Sequence, residues 1–196
     1  RDLKPENILL DYAGHVKIAD FGTALDRSKV SAEAEDTMFC GTAQYVSPEV
    51  LEDRPATKGS DLWAVGCILF QVSHLVFNVT LTSYSIFLPS LTRFTLTHTH
   101  LIYLYSNSNY QCLIGRPMFQ GANEYLTFQQ ILTFPKDYVW PDGMLEMAKD
   151  IIKGLLAPEP EARLGVESYR SLRQHEFFSS AVLAKVISWG NMLAIT

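Results

Sequence analysis

Apolar and polar residues follow three different rhythms along this chain. Ile8 to Leu10 and Val16 to Ile18 are short apolar runs on either side of DYAGH, a stretch with the Asp and Gly of a turn, so the pattern predicts a β-hairpin. Asp61 opens DLWAVGCILF, an acidic residue suited to an N-cap followed by an apolar body, which predicts a helix. In MLEMAKDIIKGLL, Met144 to Leu156, apolar residues recur at helical spacing and the pattern stops before Pro158. Between these lies GCILFQVSHLVFNVTLTSYSIFL, Gly66 to Leu88, which starts as an amphipathic helix and becomes an uncharged run of apolar and hydroxyl residues. Three readings suit that run: a membrane span, a long core helix, or two unrelated pieces joined at Gln71. His74, Asn78, several Ser and Thr and Pro89 weigh against the span, because each polar group in lipid needs a partner.

Composition narrows the classes. A chain of 196 residues, 47% hydrophobic and 19% charged, has material for one sizeable core, and one domain is expected. A formal charge of -5 leaves no basic stripe to neutralise phosphate backbones, which argues against nucleic acid and against anionic membranes as partners. Cys40, Cys67 and Cys112 fit no metal-ligand spacing and read as buried thiols of a reducing, cytoplasmic compartment. His98 and His100 flank a Thr with no ligating neighbours and suggest no metal site. The charged opening RDLKPEN has neither an initiator Met nor an apolar signal region, and the chain is expected to be a cut piece of a longer protein.

The hairpin concentrates the chemistry. Asp2, Lys4 and Asn7 precede its first strand and Asp20 follows its second, and a hairpin brings its outer ends together. Two carboxylates, an amide and an ammonium would then converge on one spot, where the oxygen ligands suit a hard Mg2+ and the Lys suits a phosphate. That combination is phosphoryl-transfer chemistry. For DFG alone, a hairpin with a solvated polar rim would be the better reading. Here R-D-x-x-x-x-N, D-F-G and S-P-E at Ser47 to Glu49 occur together and in order.

On these strings, with DLKPEN, DFGTA and GTAQYVSPE, residues 1–71 and 112–178 resemble the C-terminal lobe of a eukaryotic serine/threonine protein kinase of the AGC group. The resemblance implies a mainly α fold with the hairpin at the catalytic site and without the N-terminal lobe. It implies ATP and Mg2+ as cofactors and protein substrates, the activation loops of other kinases. Asp2 would be the catalytic carboxylate and Lys4 the cation facing the transferring group, with Asn7 and Asp20 holding Mg2+. Glu6 falls where the family contacts ribose and Leu9 where an apolar side chain lies under adenine. Thr42 would tie the substrate-binding loop to Asp2 and Lys4. Glu49 and Arg163 would form the buried ion pair that fixes this loop, and Asp61 would hold the catalytic loop's backbone, although a plain N-cap role suits it nearly as well. HEFF, His175 to Phe178, takes the place of a packing motif, so His175 and both Phe rings belong to the core.

Within the activation loop, the family's phosphate acceptor and its lysine partner fall at Met38 and Leu25, both apolar, leaving only Arg1 of the phosphate-binding set. A Met38–Leu25 packing contact is expected to order the loop without phosphate, with Thr37 as a shifted acceptor the alternative. The sequence holds no Gly-rich phosphate loop and no strand lysine before Arg1, so phosphoryl transfer by this stretch alone is not expected. A non-catalytic interaction module and a membrane-anchored kinase are the competing readings.

Residues 72–111 break the resemblance. Removing them joins Gln71 to Cys112 as GCILFQCLIGRPMFQGANEYL, which resembles the kinase sequence without a gap, and Arg93 is the one charged residue in the removed piece. Val72 and Ser73 are what a GT-(A/G)-AGT splice donor encodes, Gln111 is encoded by the acceptor triplet CAG, and Leu, Phe, Ser and Tyr codons are pyrimidine-rich. The segment reads as a translated intron, against a functional insert such as an anchor or docking loop. Residues 179–196 form a loosely matching tail.

Overall fold

The structure is a computed structural model that describes residues 1–11, 15–26, 41–85, 115–136 and 138–179. Thr37, Met38, Cys40, His98, His100, Cys112, most of the 72–111 segment and nearly all of the tail lie outside the described residues. The predicted hairpin forms where expected. β1 (Ile8–Leu10) pairs antiparallel with β2 (Val16–Ile18) in the register Ile8–Ile18, Leu9–Lys17 and Leu10–Val16. Asp11 closes the turn: its N–H donates to the His15 carbonyl at 3.0 Å and its Oδ1 accepts from the His15 N–H at 2.8 Å.

The remaining described elements are helical: α1 (Pro48–Leu51), α2 (Lys58–Ser85), α3 (Glu124–Thr133), α4 (Glu146–Leu155), α5 (Tyr169–Arg173) and α6 (Glu176–Ser179). The helix predicted from Asp61 starts three residues earlier. Thr57 is its cap, with Oγ1 accepting from the Gly59 N–H at 3.0 Å, while Ser60 Oγ accepts from the Thr57 N–H at 3.0 Å. Asp61 therefore lies in the first turn, and the N-cap alternative for it is corrected. At its other end α2 runs through Gln71 to Ser85. No Pro or Gly occurs between Cys67 and Pro89, and each further residue adds a backbone bond without a new nucleation cost. The change of composition at Gln71 is thus no break in the helix, and among the described residues no helix is long and apolar enough to cross a membrane.

The core forms where α2 crosses α4. Gly66 allows the close approach, since a Cβ there would lie 2.8 Å from Leu156 Cδ2 and 3.0 Å from Leu155 Cβ. α4 presents Ala148, Ile151, Ile152 and Leu155 as one buried stripe, as the periodicity of Met144 to Leu156 predicts. Trp63 of α2, fully buried, stacks on Phe119 with centroids 5.7 Å apart and meets Phe134 edge-on at 5.9 Å. Cys67 is a buried free thiol, and burial pushes its pKa up. The HEFF expectation holds for Phe177, which is buried, and fails for Phe178, which is exposed because α6 turns only one side to α4. His175 Nδ1 accepts the Phe177 N–H at 3.1 Å, so its Nε2 carries the proton that points at Asp150 Oδ2, also 3.1 Å away.

Candidate functional site

The segment before β1 is a single 3-10 turn, Pro5–Asn7, started by Pro5 with its preset φ. It places Asp2 and Lys4 on the same side of the chain. Lys4 Nζ donates to Asp2 Oδ2 at 2.7 Å and to Thr42 Oγ1 at 3.0 Å, and the Thr42 hydroxyl donates to Asp2 Oδ1 at 2.9 Å. Three side chains from two distant segments thus form a closed ring of hydrogen bonds. Thr42 can approach because Gly41 precedes it: Gly41 has φ 127, and a Cβ there would sit 3.2 Å from the Arg1 carbonyl oxygen and 3.7 Å from Asp2 Oδ1.

The charges in the ring are set by their partners. Burial pulls Asp2 upward, but the bonds from Lys4 and Thr42 outweigh it and leave its pKa below the ordinary 3.8. Lys4 is raised, first by its bond to Asp2 and, against some desolvation, by the charges of Asp2, Glu6 and Asp20. The hairpin brings its two outer ends together at the Ala19 N–H, which donates to the Asn7 carbonyl at 2.8 Å.

Asn7, nearly buried, donates its amide to the Asp2 carbonyl at 2.9 Å, which leaves its own Oδ1 as an acceptor. Asp20 is exposed in a left-handed conformation with φ 56, a region that short polar side chains tolerate, and one of its oxygens accepts the Gly22 N–H at 3.2 Å. An amide oxygen and a carboxylate are the donor chemistry of Mg2+, so these residues fit that ion. Among the described residues no group of three or more His, Cys, Asp or Glu could hold a metal by itself. Glu6 and Leu9 are exposed, as are Val16 and Ile18 on the hairpin and Phe21 after it. Arg1 Nε donates to the Thr23 carbonyl at 2.7 Å, joining the start of the chain to the turn after Asp20. The N-terminal ammonium on Arg1 lies 3.6 Å from Asp61 Oδ1, an ion-pair contact longer than a hydrogen bond. Leu25 is half-buried, and its expected partner Met38 lies outside the described residues. A separate cavity of about 540 Å³, between Phe70, Met118, Tyr138 and Trp140, contains none of the sequence-predicted site residues.

The segment that carries Thr42 leads on to Glu49, which pairs with Arg163. Arg163 Nη1 and Nη2 donate to Glu49 Oε1 and Oε2 at 2.7 Å each, and both side chains are essentially inaccessible. The other N–H groups of the guanidinium donate to the carbonyls of Ala157, Gly59 and Pro158, so every donor is used. Its carbon sits 5.0 Å from the Trp63 ring centroid. Ser60, which the sequence reading did not single out, donates to Glu49 Oε1 at 2.7 Å. Its spacing from Thr57 was the available signal, since a side chain three residues after a cap commonly faces back to the helix entry. Burial raises the Glu49 pKa, but Arg163 and Ser60 together hold it below the ordinary 4.5.

Comparison with known proteins agrees with this geometry. The model of the protein kinase domain matches residues 1–178, and the chain belongs to that family. Within the family its likeness is to serine/threonine kinases of the AGC group. It is 36% identical over 195 residues to the human 3-phosphoinositide-dependent protein kinase 1, covering 98% of this chain and 26% of that protein. It is 35% identical over 206 residues to the Arabidopsis thaliana protein of the same name, covering 100% of this chain and 32% of the relative. The Schizosaccharomyces pombe serine/threonine-protein kinase ksg1 is 38% identical over 191 residues, 91% of this chain and 25% of ksg1. The chain therefore spans between a quarter and a third of the length of these relatives.

Glu49→Gln or Arg163→Met leaves one partner buried without its counter-charge, and a loss of about 3–5 kcal/mol is expected in denaturant unfolding. Because the Glu49 carboxyl is held below its ordinary value, the unfolded chain takes up its proton first as pH falls. Its contribution is complete above the ordinary 4.5 and disappears as pH falls through the lowered value. In Arg163→Met burial alone acts on Glu49 and raises it, so the stability difference between parent and variant in denaturant unfolding should be largest near neutral pH and shrink as pH falls below 4.5.

Proposed function

We propose that this chain is the C-terminal-lobe portion of a serine/threonine protein kinase catalytic domain, whose whole protein moves the γ-phosphoryl group of ATP to Ser or Thr hydroxyls of protein substrates, the activation loops of related AGC kinases among them. The observation that carries the reading is the closed Asp2–Lys4–Thr42 ring. Its lowered carboxyl stays ionised at neutral pH, so Asp2 orients a substrate hydroxyl and accepts its proton as the oxygen bonds to phosphorus. The bond from phosphorus to the bridging oxygen breaks and that oxygen keeps the electron pair, leaving ADP. Lys4, with a raised pKa, is cationic throughout and faces the charge on the transferring group. Asn7 and Asp20 would hold Mg2+, which when bound offsets the charge of the nucleotide phosphates. Exposed Leu9 offers an apolar surface to adenine and exposed Glu6 an acceptor for ribose. The similarity to 3-phosphoinositide-dependent kinases supports the substrate class. Arg1, Leu25, Met38 and Thr37 would set the order of the activation loop, by packing in the leading reading and through a phosphorylated Thr37 in the other.

In the whole protein, Asp2→Asn and Asp20→Ala should each lower kcat for peptide phosphorylation by orders of magnitude. Near-parental turnover in either variant, measured by transfer of labelled phosphate, would remove the mechanism.

We further infer that residues 72–111 are a translated intron interrupting a continuous kinase sequence. Their composition supports it, with Arg93 the one charged residue among forty apolar and hydroxyl-rich positions. Sequencing transcripts across the Gln71 and Cys112 codons should find messages that lack the segment; its presence in every mature message contradicts the inference.

A further inference from the structure

The cavity of about 540 Å³ is lined by α2, α3 and the chain before and after α3, and its volume is in the range that holds a small organic molecule. One wall is three rings in mutual contact. Phe70 meets Tyr138 edge-on at 6.3 Å and Trp140 at a tilt at 6.3 Å, while Tyr138 and Trp140 meet edge-on at 5.3 Å. Phe134 also meets Tyr138 edge-on, at 5.5 Å, and Lys153 of α4 lies 5.5 Å from the Trp140 centroid. Elsewhere Gln120 is bound to α3: its N–H donates to Gln130 Oε1 at 2.9 Å and its carbonyl accepts from Gln130 Nε2 at 3.5 Å. Rings locked edge to face do not fold into the space they border, so the cavity is kept by the fold itself.

Its polar groups are unspent. Arg116 and Tyr138 both line the cavity, and among the described residues neither the guanidinium nor the phenol has a hydrogen-bond or ion-pair partner. Burial pushes the Tyr138 hydroxyl up to about 12, against the pull of the nearby Arg116 charge, so at neutral pH it is a donor. Arg116 offers a fork of N–H groups that matches the two oxygens of a carboxylate. The local charge favours an anion, with Arg116 in the lining and Lys153 at Trp140 against Asp142. Aromatic walls, a guanidinium and a phenol donor together select a flat apolar body ending in a carboxylate. We propose that this cavity binds a small aromatic carboxylate, its rings against Phe70 and Trp140 and its oxygens on Arg116 and the Tyr138 hydroxyl. None of Asp2, Lys4, Thr42, Glu49 and Arg163 lines it, so the proposal stands apart from the phosphoryl-transfer reading of the ring.

The test labels the whole protein with 5-fluorotryptophan and titrates it with biphenyl-4-acetate, then with biphenyl-4-acetamide, which has the same rings and no charge. The fluorine resonance of Trp140, assigned by its loss in Trp140→Phe, reads the cavity, and that of fully buried Trp63 reads the fold. The acid should shift Trp140 in a saturable way and leave Trp63 in place, and the amide should bind about tenfold more weakly, the worth of one charge-assisted hydrogen bond. Arg116→Met, an exchange at an exposed position, should bring the acid down to the affinity of the amide and leave the amide as it was. Tyr138→Phe should weaken both ligands about threefold, because its hydroxyl donates to either carbonyl oxygen. No movement of Trp140 up to the solubility limit of the acid overturns the proposal. So does equal affinity of the parent for acid and amide, a comparison that needs no variant, and so does a parental affinity for the acid in Arg116→Met.

Discussion

A guanidinium and a carboxylate with no access to water hold this molecule to one arrangement. Glu49 lies at the start of α1 and Arg163 far along the chain after α4, and their paired 2.7 Å bonds close a loop of more than half the sequence. Such a pair is costly to desolvate and gives back its cost only with complete hydrogen bonding. That condition is met here, with Ser60 on the carboxylate, three backbone carbonyls on the guanidinium and the Trp63 face beside it. The alternative states that leave either charge alone are excluded by several kcal/mol, so the segment ending in Pro48 and Glu49 has little choice of position.

The ring inherits that fixity. Thr42 lies seven residues before Glu49, on a stretch that the pair anchors at one end and the Tyr45–Gln71 bond anchors in the middle. Asp2 and Lys4 come from the other direction, placed by the turn before β1 and by the Arg1 side chain's bond to the Thr23 carbonyl. Two independently braced segments meet at three polar side chains, and the close approach needs Gly41 at the seam. The lowered Asp2 and raised Lys4 are the electrostatic record of that meeting.

Much of this was legible in the sequence because it is local or carried by specific strings. The hairpin followed from two apolar runs and one turn, and α4 from a clean helical period ending at proline. Asp2, Lys4, Asn7, Asp20, Thr42, Glu49 and Arg163 were placed by motif resemblance, and the structure joins Asp2 with Lys4 and Thr42, and Glu49 with Arg163. The start of α2 was missed because Asp61 is as good a cap as Thr57 by residue type, and only the reciprocal bonds with Ser60 and Gly59 decide between them. Continuation of α2 past Gln71 was not legible from composition, since the change at that point alters what the side chains bury without interrupting the backbone. Tyr45 lies within the GTAQYVSPE string and Gln71 at the junction, but their pairing was not legible, because a buried bond between residues this far apart depends on the packing of two elements.

If the Glu49–Arg163 pair positions the ring, weakening it must be felt at Asp2. Carboxyl titration of carbon-13-labelled aspartate by NMR, comparing the parent with Arg163→Lys, reads that link. The lysine keeps the charge and the fold but lacks the two-pronged geometry. Asp2 in the variant should titrate closer to the ordinary value of 3.8 as its bonds from Lys4 and Thr42 loosen. An Asp2 titration identical in parent and variant, with Glu49 alone perturbed, would show that the ring is held without the pair.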